Sequence, residues 1–230
     1  MSQDQPVDNL SRWTTRDTLG PMNNSDLVPP APETLTAPTL DGETVRLEQL
    51  RPEHCSDLQD AVRDGELWNL WYTPVPRPDG VAAEIRRRLD LQEKGSMIPF
   101  AARRLSDGKI TGVTSYYDLD WSAPRVSIGH TWNAVSTQRT GLNIESKLLL
   151  LTHAFDGLEC ISVRFETHKF NRQSRRAVED LGAQLDGILR NHRRMPDGSL
   201  RDTCSYSIVR DEWPAVRNHL NHRLKRSRGR

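Results

Sequence analysis

Cysteine is scarce and unpaired in this sequence. Cys55, Cys160 and Cys204 are the three in 230 residues. An odd number at wide spacing supports neither a disulfide framework nor a CxxC metal site. No metal is expected, and a reducing cytoplasm is the default setting. Long apolar runs are absent as well. The longest aliphatic run covers residues 148–151, where a membrane-spanning helix needs about 20 residues; no membrane contact is expected. The opening MSQDQPVDNL has no basic start and no apolar run, so it does not read as a secretory leader. Neither sign of charge dominates: 32 Lys and Arg meet 31 Asp and Glu, for a formal net charge of +1. A near-neutral body offers no global field for a polyanion. No internal repeat is visible.

What asymmetry exists sits at the two ends. Residues 1–36 carry Arg12 and Arg16 against five acids, and five of the 14 prolines. With no apolar period they read as a disordered, acidic, Pro-rich tail. Residues 217–230 carry five arginines and Lys225 with no acid. Solvation is the plainer reading of such a run, so residues 221–230 read as a basic tail and nucleic acid is not an expected partner. Between them lies one domain, residues 37–220. Alternation over 44–48 predicts a strand. Helices follow at 52–64 and 80–94, separated by an aromatic, Pro-rich segment with Trp68, Trp71 and Tyr72. Strands are expected at 100–105 and 110–117, joined by the turn Ser106-Asp107-Gly108-Lys109, and at 126–132. A helix over 143–157, a strand over 161–167, a helix over 171–181 stopped by Gly182, a hairpin of 187–194 with 204–209 and a short helix over 212–220 complete the chain. The fold class is α+β.

One turn carries more information than the rest. The strand at 126–132 runs into Gln138-Arg139-Thr140-Gly141-Leu142-Asn143, and a helix starts at once. N–H groups at a helix start are unpaired and lie at the positive end of its dipole. With a glycine that lets an anion approach the backbone, such a turn suits a pyrophosphate. It is not a Walker A sequence, since no GK[ST] follows. From this loop alone an ordinary strand-to-helix turn remains open.

Three separated segments then match one family in order. The loop 138–143 resembles its Q/R-x-x-G-x-G/A signature. Asn171-Arg172-Gln173-Ser174 with Leu181-Gly182-Ala183 is similar to its N-x-x-S and LG[FA] pair. Gly187-Ile188-Leu189-Arg190 with Asp197-Gly198, Asp202 and Tyr206 is similar to its closing segment. The chain resembles the GNAT superfamily of acyl-CoA-dependent N-acetyltransferases, in the branch of the RimJ and RimL ribosomal-protein enzymes. The resemblance implies a central, mostly antiparallel twisted sheet of about seven strands, splayed where acyl-CoA binds, with four to five flanking helices. It implies acetyl-CoA as cosubstrate. The backbone at Thr131 and Asn133 would pair with the pantetheine arm. Gln138, Arg139, Thr140, Gly141, Leu142 and Asn143 would hold the pyrophosphate. Asn171 and Ser174 would hydrogen-bond the pantetheine or phosphate, although Asn171 is also a natural helix cap. Arg139, Arg175 and Arg176 are candidates for the adenosine 3′-phosphate.

The expected chemistry is attack of a neutral amine on the thioester, so a proton must first leave the ammonium. Two family positions depart from the usual pattern. The customary glutamate base is Ser127, and the customary tyrosine acid is Val178. His130 has a suitable ordinary pKa of about 6.5, but ideal strand alternation puts it on the face opposite Ser127 unless a bulge turns it round. Tyr116, with Tyr117 and Asp118, is expected to line the amine site, and Trp68, Trp71 and Tyr72 to contact the acceptor or pack in the core. Asp202 and Arg190 are expected to form a cross-strand ion pair. The resulting expectation is an N-acyltransferase acting on a small amine, an amino acid or a peptide N-terminus. The alternative is a non-catalytic acyl-CoA sensor. The resemblance leaves a homodimer open.

Overall fold

The computed structural model describes residues 35–228. Eight strands form one sheet: β1 (Leu40–Asp41), β2 (Val45–Gln49), β3 (Met97–Arg104), β4 (Ile110–Asp120), β5 (Arg125–Asn133), β6 (Ser162–His168), β7 (Gln184–Arg194) and β8 (Leu200–Val209). Their order is β1-β2-β3-β4-β5-β6-β8-β7. Every neighbouring pair is antiparallel except β5 with β6. Five helices flank it: α1 (Cys55–Arg63), α2 (Val81–Glu93), α3 (Leu142–Thr152), α4 (Arg172–Glu179) and α5 (Trp213–Arg228). The two-residue β1 is the strand beyond the expected seven.

Alternation along the strands builds two cores on opposite faces. On one face Ala101, Val113 and Trp132 pack under α1 and α2 through Leu58, Val62 and Ile85. On the other, Phe100, Tyr116, Ile128 and Phe165 pack with Leu150 and Leu151 of α3 and Leu220 of α5. Leu142, Leu150 and Leu151 of α3 hold the centre, with Leu148 and Leu149 partly buried beside them.

The last helix runs eight residues further than the sequence pattern suggests. Leu220 and Leu224, one helical turn apart, are both buried, and this spacing carries the helix to Arg228. Residues 221–228 of the basic segment thus continue the helix, with Leu224 buried and 221, 222, 225 and 226 exposed. The Pro-rich acidic segment falls outside the described residues, apart from its last two positions.

The functional geometry comes from one pair of strands. β5 and β6 pair at Arg125 with Ser162, Val126 with Val163 and Ser127 with Arg164. Beyond that point they part. The β4–β5 register also slips there: Ser115 lies opposite Gly129 and Val113 opposite Trp132. His130 and Thr131 thus face the single residue Thr114, a bulge with His130 in the left-handed region at φ 50°.

Candidate active site

The segment after β5 turns sharply into α3. A 3-10 turn at Val135–Thr137 leads to Arg139 at φ 63° and Gly141 at φ 91°. Gly141 caps the helix, and its carbonyl accepts the Glu145 N–H at 2.9 Å. A Cβ at Gly141 would lie 2.7 Å from Ser227 Oγ of α5, so both its backbone and its surroundings demand glycine. The Thr140 hydroxyl donates to Thr137 O at 2.7 Å, and buried Leu142 anchors the first turn in the core. Gln173 of α4 donates to Gln138 Oε1 at 3.1 Å, which ties the loop to α4. Within the loop the Gln138 N–H donates to Val135 O at 3.0 Å and the Leu142 N–H to the Thr140 hydroxyl at 3.4 Å, next to exposed Arg139.

On the α1–α2 face the bulge assembles a polar group. Tyr117 lies opposite Ser127 and shares its face. The His130 ring packs edge-on against Tyr117, with centroids 4.9 Å apart and planes at 81°. The bulge has therefore carried His130 round to the Ser127 face. Gly129 makes room for this, since a Cβ there would come within 2.7 Å of the Tyr117 ring. Buried Arg88 of α2 clamps the bulge from above: its guanidinium donates to Glu84 at 2.8 Å, to Ser115 Oγ at 3.1 Å and to the His130 carbonyl at 2.8 Å. Burial, with the Arg88 and Arg87 charges, pushes the His130 pKa down to about 4. Burial and the nearby Glu166 and Asp118 carboxylates raise that of Tyr117. Both rings are thus neutral near pH 7.

A family model described as an acetyltransferase (GNAT) domain matches residues 44–184. The chain belongs to the GNAT family. It is 29% identical over 109 residues, 47% of its own length, to YdaF of Bacillus subtilis (strain 168), named as a ribosomal N-acetyltransferase; the match spans 58% of that relative's length. This agrees with the RimJ/RimL-like branch. A GCN5-related N-acetyltransferase from Brucella melitensis superposes with a TM-score of 0.74 at 26% identity, covering 85% of this chain and 87% of that one. RimJ from Mycobacterium smegmatis, solved with CoA-disulfide, superposes at 0.66 and 19% identity, over 77% and 88% of the two chains; at that identity the likeness is one of fold.

Against the GNAT pattern, several expected residues fall differently. Tyr116, expected to line the amine site, has no exposed surface. It is fully buried on the α3 face, its hydroxyl donating to Leu150 O at 2.6 Å and its ring edge-on to Phe100. Its neighbour Tyr117 lies on the opposite face with Ser127 and His130, because consecutive strand residues alternate. Trp68 leans on the α1–α2 core with the Arg77 guanidinium 5.8 Å from its ring. Trp71 and Tyr72 instead join His168 and Phe170 in an aromatic cluster, with Trp71 ring centroids 5.6, 5.1 and 6.0 Å away. Trp71 is 57% and Phe170 61% exposed. Asn171 caps α4, accepting the Ser174 N–H at 3.0 Å. Arg175 turns to the Tyr206 hydroxyl at 3.0 Å. Val178 is core. Arg190 and Asp202 do pair, at 2.9 Å.

Three further residues carry little sequence signal that matches their placement. Arg88 stands in a run of three arginines and shows nothing of its inward course. His168 closes β6 beside the aromatics. Lys147 of α3 is buried, and its ammonium donates to Thr114 Oγ1 at 3.2 Å and to Thr131 Oγ1 at 3.1 Å. Those two hydroxyls are themselves 2.8 Å apart. Its one sequence signal is its place just before the leucines at 148–151, in a stretch that helical periodicity turns inward.

Proposed function

We propose that this GNAT protein transfers an acetyl group from acetyl-CoA to a primary amine by direct attack of the amine. The observation that carries this reading is the parting of β5 from β6, which runs straight into the glycine-capped start of α3. One strand edge with free backbone groups and one anion cradle fit the two halves of a CoA molecule, and Gly141 keeps the cradle open.

Acetyl-CoA supplies the activated thioester. The chain's own groups do the remainder. The N–H groups over 138–143 hold the pyrophosphate, with Arg139 adding a cation. The backbone at Thr131 and Asn133 aligns the arm. Ser127, Tyr117 and His130 line the amine's approach. His130, kept neutral and weakly basic by burial, helps to position the amine, and water takes the proton. Much of the rate then rests on positioning. Among the described residues no helix is long and apolar enough to cross a membrane. Three free cysteines favour a reducing compartment, and we place the enzyme in the cytoplasm.

The test is calorimetric titration with acetyl-CoA and CoA, followed by thiol release with a panel of amines. Micromolar binding that weakens at least tenfold in Gly141→Ala, together with turnover of some amine, supports the proposal. Binding without turnover of any amine would leave a sensor; absence of binding would remove the cosubstrate altogether.

A further inference from the structure

Lys147 is a buried cation with no carboxylate partner among the described residues. The charged groups around it are committed elsewhere. Glu145, two positions earlier on α3, accepts the N–H groups of Glu43 and Thr44 at 2.6 and 3.0 Å. On β4, Tyr116 gives its hydroxyl to Leu150 and stacks on His153. β5 presents the Thr131 hydroxyl, which donates to Gly129 O at 3.2 Å and must turn from it to reach another acceptor. An ammonium has three donors, and two of them reach the Thr114 and Thr131 oxygens. Burying such a charge without a counter-ion is costly. Burial is the one influence on its protonation, and it pulls the pKa down to about 7.

The location gives this charge a use. A ligand held by its phosphates at the start of α3, with its chain lying along the free edge of β5, passes Asn133 and then Thr131. Its reactive carbon must also meet the amine face of Ser127, Tyr117 and His130. Both conditions put the reacting atoms beside the bulge at 129–131. Lys147 reaches the same bulge from the opposite face of the sheet.

We propose that Lys147 is the positioning residue for thiol departure: it lends its charge and a proton, through the Thr131 hydroxyl, to the leaving sulfur. The nitrogen–carbon bond forms as the carbon–sulfur bond breaks. The sulfur keeps the electron pair and takes the Thr131 proton, Thr131 takes one from Lys147, and Lys147 regains from solvent the proton that the amine released. This supplies the acid that Val178 cannot. The inference rests on the acetyl-transfer reading above.

The test uses the full chain with Lys147→Met, Lys147→Arg and Thr131→Val. Calorimetry with CoA and desulfo-CoA reads the sulfur contact without turnover. A preference of about tenfold for CoA is expected from a charge-assisted contact, and Lys147→Met and Thr131→Val should lose it. Both variants should also lose on the order of 10²-fold in kcat, and Lys147→Met should lose the decline in kcat above neutral pH. Lys147→Arg keeps the charge but does not release a proton, so it should bind CoA normally and turn over slowly. An unchanged CoA preference and pH profile in Lys147→Met would overturn the inference, as would equal weakening of both ligands with a lowered melting temperature. Wild-type protein that binds neither ligand would instead overturn the acetyl-transfer reading itself.

Discussion

Lys147 and His130 oppose folding in the same pH direction. The lysine holds a pKa near 7 in place of the ordinary 10.5, and the histidine one near 4 in place of 6.5. In both windows the unfolded chain binds more protons, so stability rises with pH between about 4 and 6.5 for His130 and between about 7 and 10.5 for Lys147. Lys147→Met is expected to be more stable than wild type at pH 7 in urea unfolding, and the gain should shrink toward pH 9.5. A gain independent of pH would mean that the ammonium is not the cause. On the proposed reading, His130→Ala should lower kcat on the order of 10²-fold through misplacement while leaving the calorimetric affinity for acetyl-CoA intact. Neither residue's role could be read from spacing. The face of His130 depends on a register slip against β4, a long-range fact. Lys147 looks like any helix lysine until Thr114 and Thr131 are brought beneath it. Ser127, by contrast, lies where strand alternation puts it.

At the level of elements, local signals carried far. The loop 138–143 was legible because a strand pattern, a glycine and a helix pattern adjoin within a few residues. The strands at 126–132 and 161–167 can be read from alternation and β-propensity, but their pairing over three residues and later divergence cannot, because pairing is not written in either strand alone. The extent of α5 was hidden by its charges, since only Leu220 and Leu224 mark its inner face. Two predictions belong here. Arg88→Met removes the clamp on the bulge and is expected to destabilise the protein by about 3 kcal/mol, the low end for a broken buried pair because Arg87 also bonds Glu84; denaturant unfolding measures it. Leu224→Ala should cost about 2–5 kcal/mol and, because Leu224 and Ser227 back Gly141, should weaken CoA binding as well. Loss of stability with unchanged CoA affinity would separate α5 from the loop.

Across the whole molecule, the parting of β5 and β6 after Ser127 and Arg164 makes the sheet two blocks joined by three residue pairs. A molecule lying along β5 would stiffen that joint, and binding to the folded state alone adds about 2.7 kcal/mol at a hundredfold excess over Kd. The protein's survival against proteases then becomes a readout of its donor supply. Pulse proteolysis with and without acetyl-CoA should show the difference directly. On the proposed reading, the same linkage would make the folded protein's resistance to degradation rise and fall with the concentration of its acyl donor.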